Sequence, residues 1–370
     1  MQDIDMAALG HQVLWAAFGL SFAFGAVAQR THFCTMGAVA DIVNMGSWAR
    51  MRMWVLAIAV AMLGFNAMVY AGWLDAAKSI YAAPKLLWLS NAVGGFMFGF
   101  GMVLASGCGS KTLVRIGAGN LKSLIVFVVM GVAAFATLKG VSAVARVATV
   151  DKVAVTLGTG QDLPSLLAAS VGVARPVLAL AIGGVFALAL IAWVLAREEG
   201  RSAEVLLGGI LSGLVVAAVW WLSGKFGHVA EDPNTLEEAF VGATSAQHME
   251  GLSFVAPMAY VLDWLMFFSD QSKVLTIAIV ACFGVVAGSG VMALATRSFR
   301  WESFRTVDDL VSHLGGAVLM GVGGVTALGC TIGQGISGVS TLSLGSFLAL
   351  AAIIAGAVAS LRWQVWRLSR

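Results

Sequence analysis

Residues 94–124 read GGFMFGFGMVLASGCGSKTLVRIGAGNLKSL. An apolar run studded with glycine proceeds to Ser106-Gly107-Cys108-Gly109 and stops. A short polar piece with Lys111 and Arg115 follows, and a second apolar run begins near Asn120. Residues 315–346, GGAVLMGVGGVTALGCTIGQGISGVSTLSLGS, repeat this plan with one Gly-Cys pair at the break. Hydrophobic segments interrupted at corresponding places of two halves point to a transport site in a membrane.

The rest of the chain agrees with that setting. Of its 370 residues 59% are hydrophobic and 11% charged, and the mean hydropathy is +0.91. Soluble domains carry about 25% charged residues. The solvent for so much apolar surface is lipid. A net charge of +3, with no basic run interleaved with aromatics, excludes nucleic acid as a partner. MQDIDMAALG has no basic residue ahead of the first apolar run, which argues against a cleaved signal peptide. No nucleotide-binding motif is present, so ATP is not expected to drive the protein directly. Four cysteines (Cys34, Cys108, Cys282 and Cys330) stand singly, without CxxC or Cys/His spacing, so no metal or cofactor is called for.

Nine apolar runs are read as bilayer spans, the third ending at the first Gly-Cys break: about 11–28, 53–73, 91–105, 121–138, 176–196, 204–222, 274–296, 310–328 and 342–361. Residues 31–45 and 254–268 are too short or too polar, and are expected as re-entrant or interfacial pieces. The expectation is an all-α integral membrane protein with about nine spans plus short half-helices, in two halves related as an inverted repeat. The halves fall at 1–150 and 176–370, joined by 151–175; just before this connection, 141–150 is weakly amphipathic and is expected to lie at the interface. With nine spans, 14 Lys and Arg fall on one side and 8 on the other. The basic side is cytoplasmic by the positive-inside rule, which puts the N-terminus outside and the C-terminus inside. Arg30-Thr31-His32-Phe33-Cys34 is expected to have a degenerate, cysteine-free counterpart in Arg297-Ser298-Phe299-Arg300-Trp301.

Thiols are small, polarisable, weak donors, suited to a soft sulfur-bearing anion that must be released again. Glycines beside them permit close backbone approach, and half-helix starts offer N–H groups to anions. The candidate path residues are Cys34, Cys108 and Cys330, the glycines Gly107, Gly109, Gly329 and Gly333, with Arg30, Lys111 and Gln334. From the topology the expected order is Cys330 outside, then Cys34, then Cys108 inside. Cys282, in mid-span, is expected to pack as a small hydrophobe. His228 and His248, in an acidic loop, are expected to be solvated.

Three segments carry a family resemblance: Gln29–Ala38 (QRTHFCTMGA), Leu104–Gly109 (LASGCG) with Leu113–Gly117 (LVRIG), and Leu328–Gly338 (LGCTIGQGISG). Together they resemble the YeeE/YedE sulfur-transport family over essentially the whole chain. The resemblance implies an inner-membrane protein importing thiosulfate, with cysteines along a narrow central path. Those roles carry over to Cys34, Cys108 and Cys330. It also implies a link to a small cytoplasmic sulfur carrier of the TusA type, and for some members to selenium metabolism. One departure stands out. Gly333 follows Cys330 by three residues, as in members with Gly-Cys-x-x-Gly in both breaks, but Lys111 holds that place after Cys108. A rival chemistry is a membrane sulfurtransferase, in which Cys108 near Lys111 would accept a sulfur as a persulfide.

Overall fold

The computed structural model describes residues 5–233 and 235–369. The first half contains α1 (Met6–Arg30), the half-helix α2 (Thr35–Met45), α3 (Ala49–Tyr70), α4 (Trp88–Leu104), the short α5 (Gly109–Gly117) and α6 (Leu121–Lys139). Two surface helices, α7 (Val141–Ala148) and α8 (Leu163–Val171), lead to α9 (Arg175–Leu195). The second half contains α10 (Ala203–Trp221), the half-helix α11 (Val255–Met266), α12 (Ile277–Ala295), α13 (Val307–Thr326), a π-helical turn at Gly333–Gly338, and α14 (Leu344–Leu368). Two antiparallel pairs of two-residue strands, Lys85–Leu86 with Val155–Thr156 and His228–Val229 with Ala239–Phe240, tie the loops at one end.

Helix starts are set by ordinary capping. Asp5, Asn120, Ser202, Thr276 and Thr306 each accept a backbone N–H of the first turn of α1, α6, α10, α12 and α13. Among the described residues nine helical stretches are long and apolar enough to cross a membrane. They match the nine expected runs, with shifted ends. The basic tail, for example, continues α14 as helix to Leu368, because Arg and Lys sustain a helix as well as apolar residues do. Helix α11 has 12 residues, about 18 Å, too short to cross.

The two halves match element for element. Cys330 follows Cys108 by 222 residues, and the same step carries Gly94 to Gly316 and Gly101 to Gly323. A Cβ on Gly94 would lie 2.7 Å from the Gly323 carbonyl oxygen, and one on Gly316 would lie 2.6 Å from that of Gly101. The α4–α13 contact therefore maps onto itself when the halves are exchanged. Helix α1 packs on α12 as α10 packs on α3, and α4 packs on α14 as α13 packs on α6. Four spans per half plus the single extra span α9 turn the second half upside down relative to the first. Of the nine spans α9 is the least buried.

This matching corrects one expectation. The counterpart of the α1–α2 break is the α10–α11 break, and Phe254 precedes α11 where Cys34 precedes α2. Arg297–Trp301 is instead the link between α12 and α13. Its likeness to Arg30–Cys34 reflects a shared helix stop, with Arg297 at φ 54 and His32 at φ 53.

Helix α9 is fixed to the bundle by Arg52, which is 7% exposed. Its Nη1 donates to the carbonyls of Trp193 (2.6 Å) and Val194 (3.2 Å), and the guanidinium lies 4.4 Å from the Trp193 ring centroid. These are the carbonyls a helix end leaves unpaired. Hydrogen bonds from a charged donor contribute about 1.5–3 kcal/mol, so Arg52→Met is expected to lower the melting temperature of the detergent-solubilised protein by several degrees. An unchanged melting temperature would remove Arg52 as the tie.

Candidate functional site

The site is built by two helix stops of the same design. At the end of α4, Ala105 N–H donates to Gly101 O (2.9 Å) and Gly107 N–H to Met102 O (2.8 Å), around Ser106 at φ 55. At the end of α13, Ala327 N–H donates to Gly323 O (2.8 Å) and Gly329 N–H to Gly324 O (2.8 Å), around Leu328 at φ 58. A left-handed residue in this Schellman arrangement reverses the chain. It delivers a cysteine two residues later, and His32 stands in the same relation to Cys34. A non-glycine residue in this conformation costs about 1 kcal/mol, and strain of this kind clusters at functional sites.

All four cysteines are free and buried. Cys34 and Cys330 accept the N–H three residues on, from Gly37 (3.3 Å) and Gly333 (3.4 Å). The Cys108 Sγ lies 3.3 Å from Ser110 Oγ, and within reach of the Cys34 thiol and the Thr331 hydroxyl. Cys330 Sγ lies 4.0 Å from Ser253 Oγ. Cys34, Cys108 and Cys330 thus form a chain. Cys282, 2% exposed in α12, belongs to the core.

Two cavities lie at opposite ends of this chain. One, of about 710 Å³, is basic: Cys34 is on its wall with Arg50, Lys111, Arg115, Lys122 and Arg300. The other, of about 250 Å³, is lined by Tyr81, Arg146, His248, Glu250, Ser253 and Gly329. Cys330 lies behind Gly329 and Ser253. Cys108 and Cys330 are fully enclosed. Counted from the basic cavity, the three thiols stand in the order Cys34, Cys108, Cys330, whereas the sequence suggested Cys34 in the middle. Cys34 comes from the break that has no cysteine in its counterpart, and α2 holds it toward the basic end.

The third residue after each thiol explains the glycines and the departure at Lys111. A Cβ on Gly37 would lie 2.5 Å from Arg50 Nη1, and one on Gly333 would lie 2.5 Å from Ser253 Oγ. Each glycine makes room for a polar group from another element beside the thiol. After Cys108 no such visitor arrives, and the Lys111 side chain takes the place itself. Arg50 pairs with Asp41 (2.8 Å), Lys122 with Asp309 (2.8 Å), and Arg115 donates to Ser106 O (2.7 Å). Lys111 forms no ion pair within 4.0 Å among the described residues, and its charged neighbours include Arg115 and Arg50. It is a free cation at the inner wall of the site.

Two expected path residues line neither cavity. Arg30 is exposed and outside the basic cavity, because α1 ends with its side chain turned outward; Arg50 stands where it was expected. Gln334 is buried, but its Nε2 donates to Ala327 O at 2.6 Å, so it braces the second break. Gly107, Gly109, Gly329 and Gly333 all adjoin the chain of thiols. Sequence reasoning missed Arg50, Ser253, Glu250 and Thr331. The only trace of Arg50 and Ser253 is the Cys-x-x-Gly spacing that leaves space for them.

Glu250 lies in the polar loop between α10 and α11. Its carboxylate accepts from Thr244 N–H (3.0 Å) and Thr244 Oγ1 (3.1 Å), with no cation paired to it among the described residues. Burial pushes it up to about 7. Arg146, on the same cavity, is engaged by Asp151 at 3.5 Å. At the outer edge of the same loop, Lys78 and His228 hold the Glu238 carboxyl below its usual range.

A sequence model described as Sulphur transport matches residues 30–359. The protein named Thiosulfate transporter TsuA from Escherichia coli K12 is 27% identical over 365 residues, covering 92% of each chain. A protein of the same name from Spirochaeta thermophila is 27% identical over 359 residues, covering 93% of this chain and 97% of that protein. The Probable transporter YedE of Salmonella typhimurium is 30% identical over 112 residues, 30% of this chain and 26% of its own.

Proposed function

This chain belongs to the sulphur transport family, and from that premise we propose that it imports thiosulfate through the line of three thiols. The observation that carries the reading is the chain Cys330–Cys108–Cys34 between two cavities at opposite ends of the bundle. Full-length similarity to two proteins named thiosulfate transporters supports the substrate. The basic cavity faces the cytoplasm of an inner-membrane protein, by the positive-inside rule, with the N-terminus outside. A cytoplasmic sulfur carrier of the TusA type is the partner the family resemblance suggests at that exit.

The electrostatics fit import of a dianion. An inside-negative potential opposes entry by about 2.3 kcal/mol per charge per 100 mV. The unpaired Lys111 and its basic neighbours at the inner end offset part of that. The thiols between carry no charge to trap the substrate. The test is growth: in cells lacking other thiosulfate uptake, this protein is expected to restore growth on thiosulfate as sole sulfur source. Growth no better than with an empty vector would reject the function.

Glu250 makes uptake depend on external pH. With its carboxyl near 7, it is neutral below that value and ionised above it. Ionised, it sets a negative charge on the wall of the outer cavity, where a dianion must enter. His248, Arg146, Tyr81 and Tyr260 line the same cavity. Repulsion at close range in a partly dry site is worth several-fold at the least, and uptake is expected to fall about tenfold from pH 6 to pH 8. Glu250→Gln should flatten this profile. A profile equally steep in Glu250→Gln would assign the dependence to another group.

A further inference from the structure

Thr331 follows Cys330 directly and is fully buried, and its Oγ1 has no hydrogen-bond partner of ordinary geometry. Four hydroxyls of the same region are occupied. Thr326 donates to Val322 O (2.7 Å), Ser337 to Leu252 O (2.8 Å), Ser340 to Ser337 O (2.6 Å) and Thr341 to Gly338 O (2.7 Å). On the facing break Thr112 donates to Cys108 O (3.0 Å). Two other buried atoms nearby, Gln334 Oε1 and Ser346 Oγ, also lack partners, but they flank Gly338. Thr331 Oγ1 stands beside the thiol of Cys108; the buried Thr35 Oγ1, directly after Cys34, also lacks a partner, but it lies at the basic end of the line and not between two enclosed thiols.

An unsatisfied buried hydroxyl costs about 1–3 kcal/mol and calls for an explanation. A backbone carbonyl one turn back would normally satisfy it, as it does for Thr326. The second break prevents this: the chain around Cys330 is not helical, so no carbonyl lies where Thr331 could reach it. The position is also asymmetric. The residue 222 positions earlier, after Cys108, is Gly109, so the passage has this hydroxyl on one side only. It lies between the second and third thiols, both of which are fully enclosed.

We infer that Thr331 Oγ1–H is a ligand for the oxyanion end of the substrate during its transfer from Cys330 to Cys108. This rests on thiosulfate transport as the function. The sulfane sulfur of thiosulfate is soft and suits a thiol donor, while its sulfonate oxygens are hard acceptors that suit O–H and N–H donors. The Cys330 site has the Gly333 N–H, and the inner end has Lys111. Between them Thr331 is the free neutral donor, with Ser110 Oγ on the other flank of Cys108. A neutral hydroxyl binds without trapping, as a mid-path site requires. No bond is made or broken in this step; the hydrogen bond passes from water-like partners to the protein.

The test uses purified full-length protein in proteoliposomes, with radiolabelled thiosulfate outside. Thr331→Val keeps the shape and removes the donor, and Thr331→Ser keeps the donor. Losing one hydrogen bond to a charged species should lower initial uptake by about tenfold or more in Thr331→Val. Thr331→Ser should stay within about threefold of wild type, because the hydroxyl is restored. Both should match wild type in elution profile and melting temperature, since valine in a site without a hydrogen bond forfeits none. Uptake by Thr331→Val at the wild-type rate overturns the assignment, and so does Thr331→Ser as impaired as Thr331→Val with both folded. A wild-type protein that accumulates no thiosulfate overturns the transport reading and this assignment together.

Discussion

Cys108→Ala is expected to reduce thiosulfate uptake by about 30-fold or more while leaving the protein folded. Cys108 is the middle of the line, reaching Cys34 on one side and Thr331, next to Cys330, on the other. Without its thiol, the substrate must cross from Cys330 to Cys34 with no soft donor between them. A hydrogen bond to a charged partner contributes about 1.5–3 kcal/mol, which corresponds to about 10–150-fold in rate or affinity. The fold should tolerate the change, because an enclosed cysteine packs as a small hydrophobe and alanine removes one atom. Cys330→Ala should behave alike. Cys282→Ala, in the core of α12, should transport normally. Initial uptake rates at matched protein levels check all three. Normal transport by both Cys108→Ala and Cys330→Ala would mean that the thiols do not form the path.

The second large effect concerns folding. A Cβ on Gly99 of α4 would lie 2.0 Å from the carbonyl oxygen of Ile353 on α14 and 3.0 Å from Ala357 N. Backbone atoms cannot rotate away as a side-chain tip can. The two helices must separate, and α4 leads directly into the Cys108 break. Gly99→Ala is expected to cost about 3 kcal/mol or more, at the upper end for overpacking, seen as a sharp loss of melting temperature and of monodisperse yield. Close approach at small residues is what holds membrane helices together, since lipid gives no hydrophobic drive for them to associate. Gly184 of α9 has nothing within 4 Å of such a Cβ. Gly184→Ala should therefore be neutral or stabilising by up to about 1 kcal/mol, the helix preference of alanine over glycine. Equal effects at the two positions would contradict the packing described for α4 and α14.

The spans were legible in the sequence because lipid enforces long apolar runs and leaves few alternatives. The re-entrant pieces α2 and α11 were legible for the converse reason, being too short or too polar to cross. The Gly-Cys breaks were legible because the second copies the first at a fixed distance. The inversion followed from an odd number of spans. The finer pairing of elements was not legible. Arg297–Trp301 resembles Arg30–Cys34 through a helix stop that any left-handed residue can make, whereas the true counterpart, at Phe254, shares no chemistry with Cys34. The order of the thiols was hidden too, since it depends on how far α2 carries Cys34 into the bundle. Arg50, Glu250 and Thr331 were missed because each becomes special only through what surrounds it. Arg50 crosses Gly37, Glu250 is a loop residue that folding places half-buried on a cavity wall, and Thr331 is a threonine denied the carbonyl it would use in a helix.

The central claim is that thiosulfate crosses intact, handed between thiols that bind it without reacting. Thiosulfate labelled separately in its sulfane and sulfonate sulfurs, offered to proteoliposomes, tests this directly when followed by mass spectrometry of the protein. Both labels should arrive inside in equal amount, with Cys34, Cys108 and Cys330 unmodified. The contradicting result is sulfite left outside and one added sulfur atom on a cysteine. In that chemistry a thiolate attacks the sulfane sulfur, the S–S bond of thiosulfate breaks, and sulfite leaves with the electron pair, which would make the protein a sulfurtransferase instead of a passage.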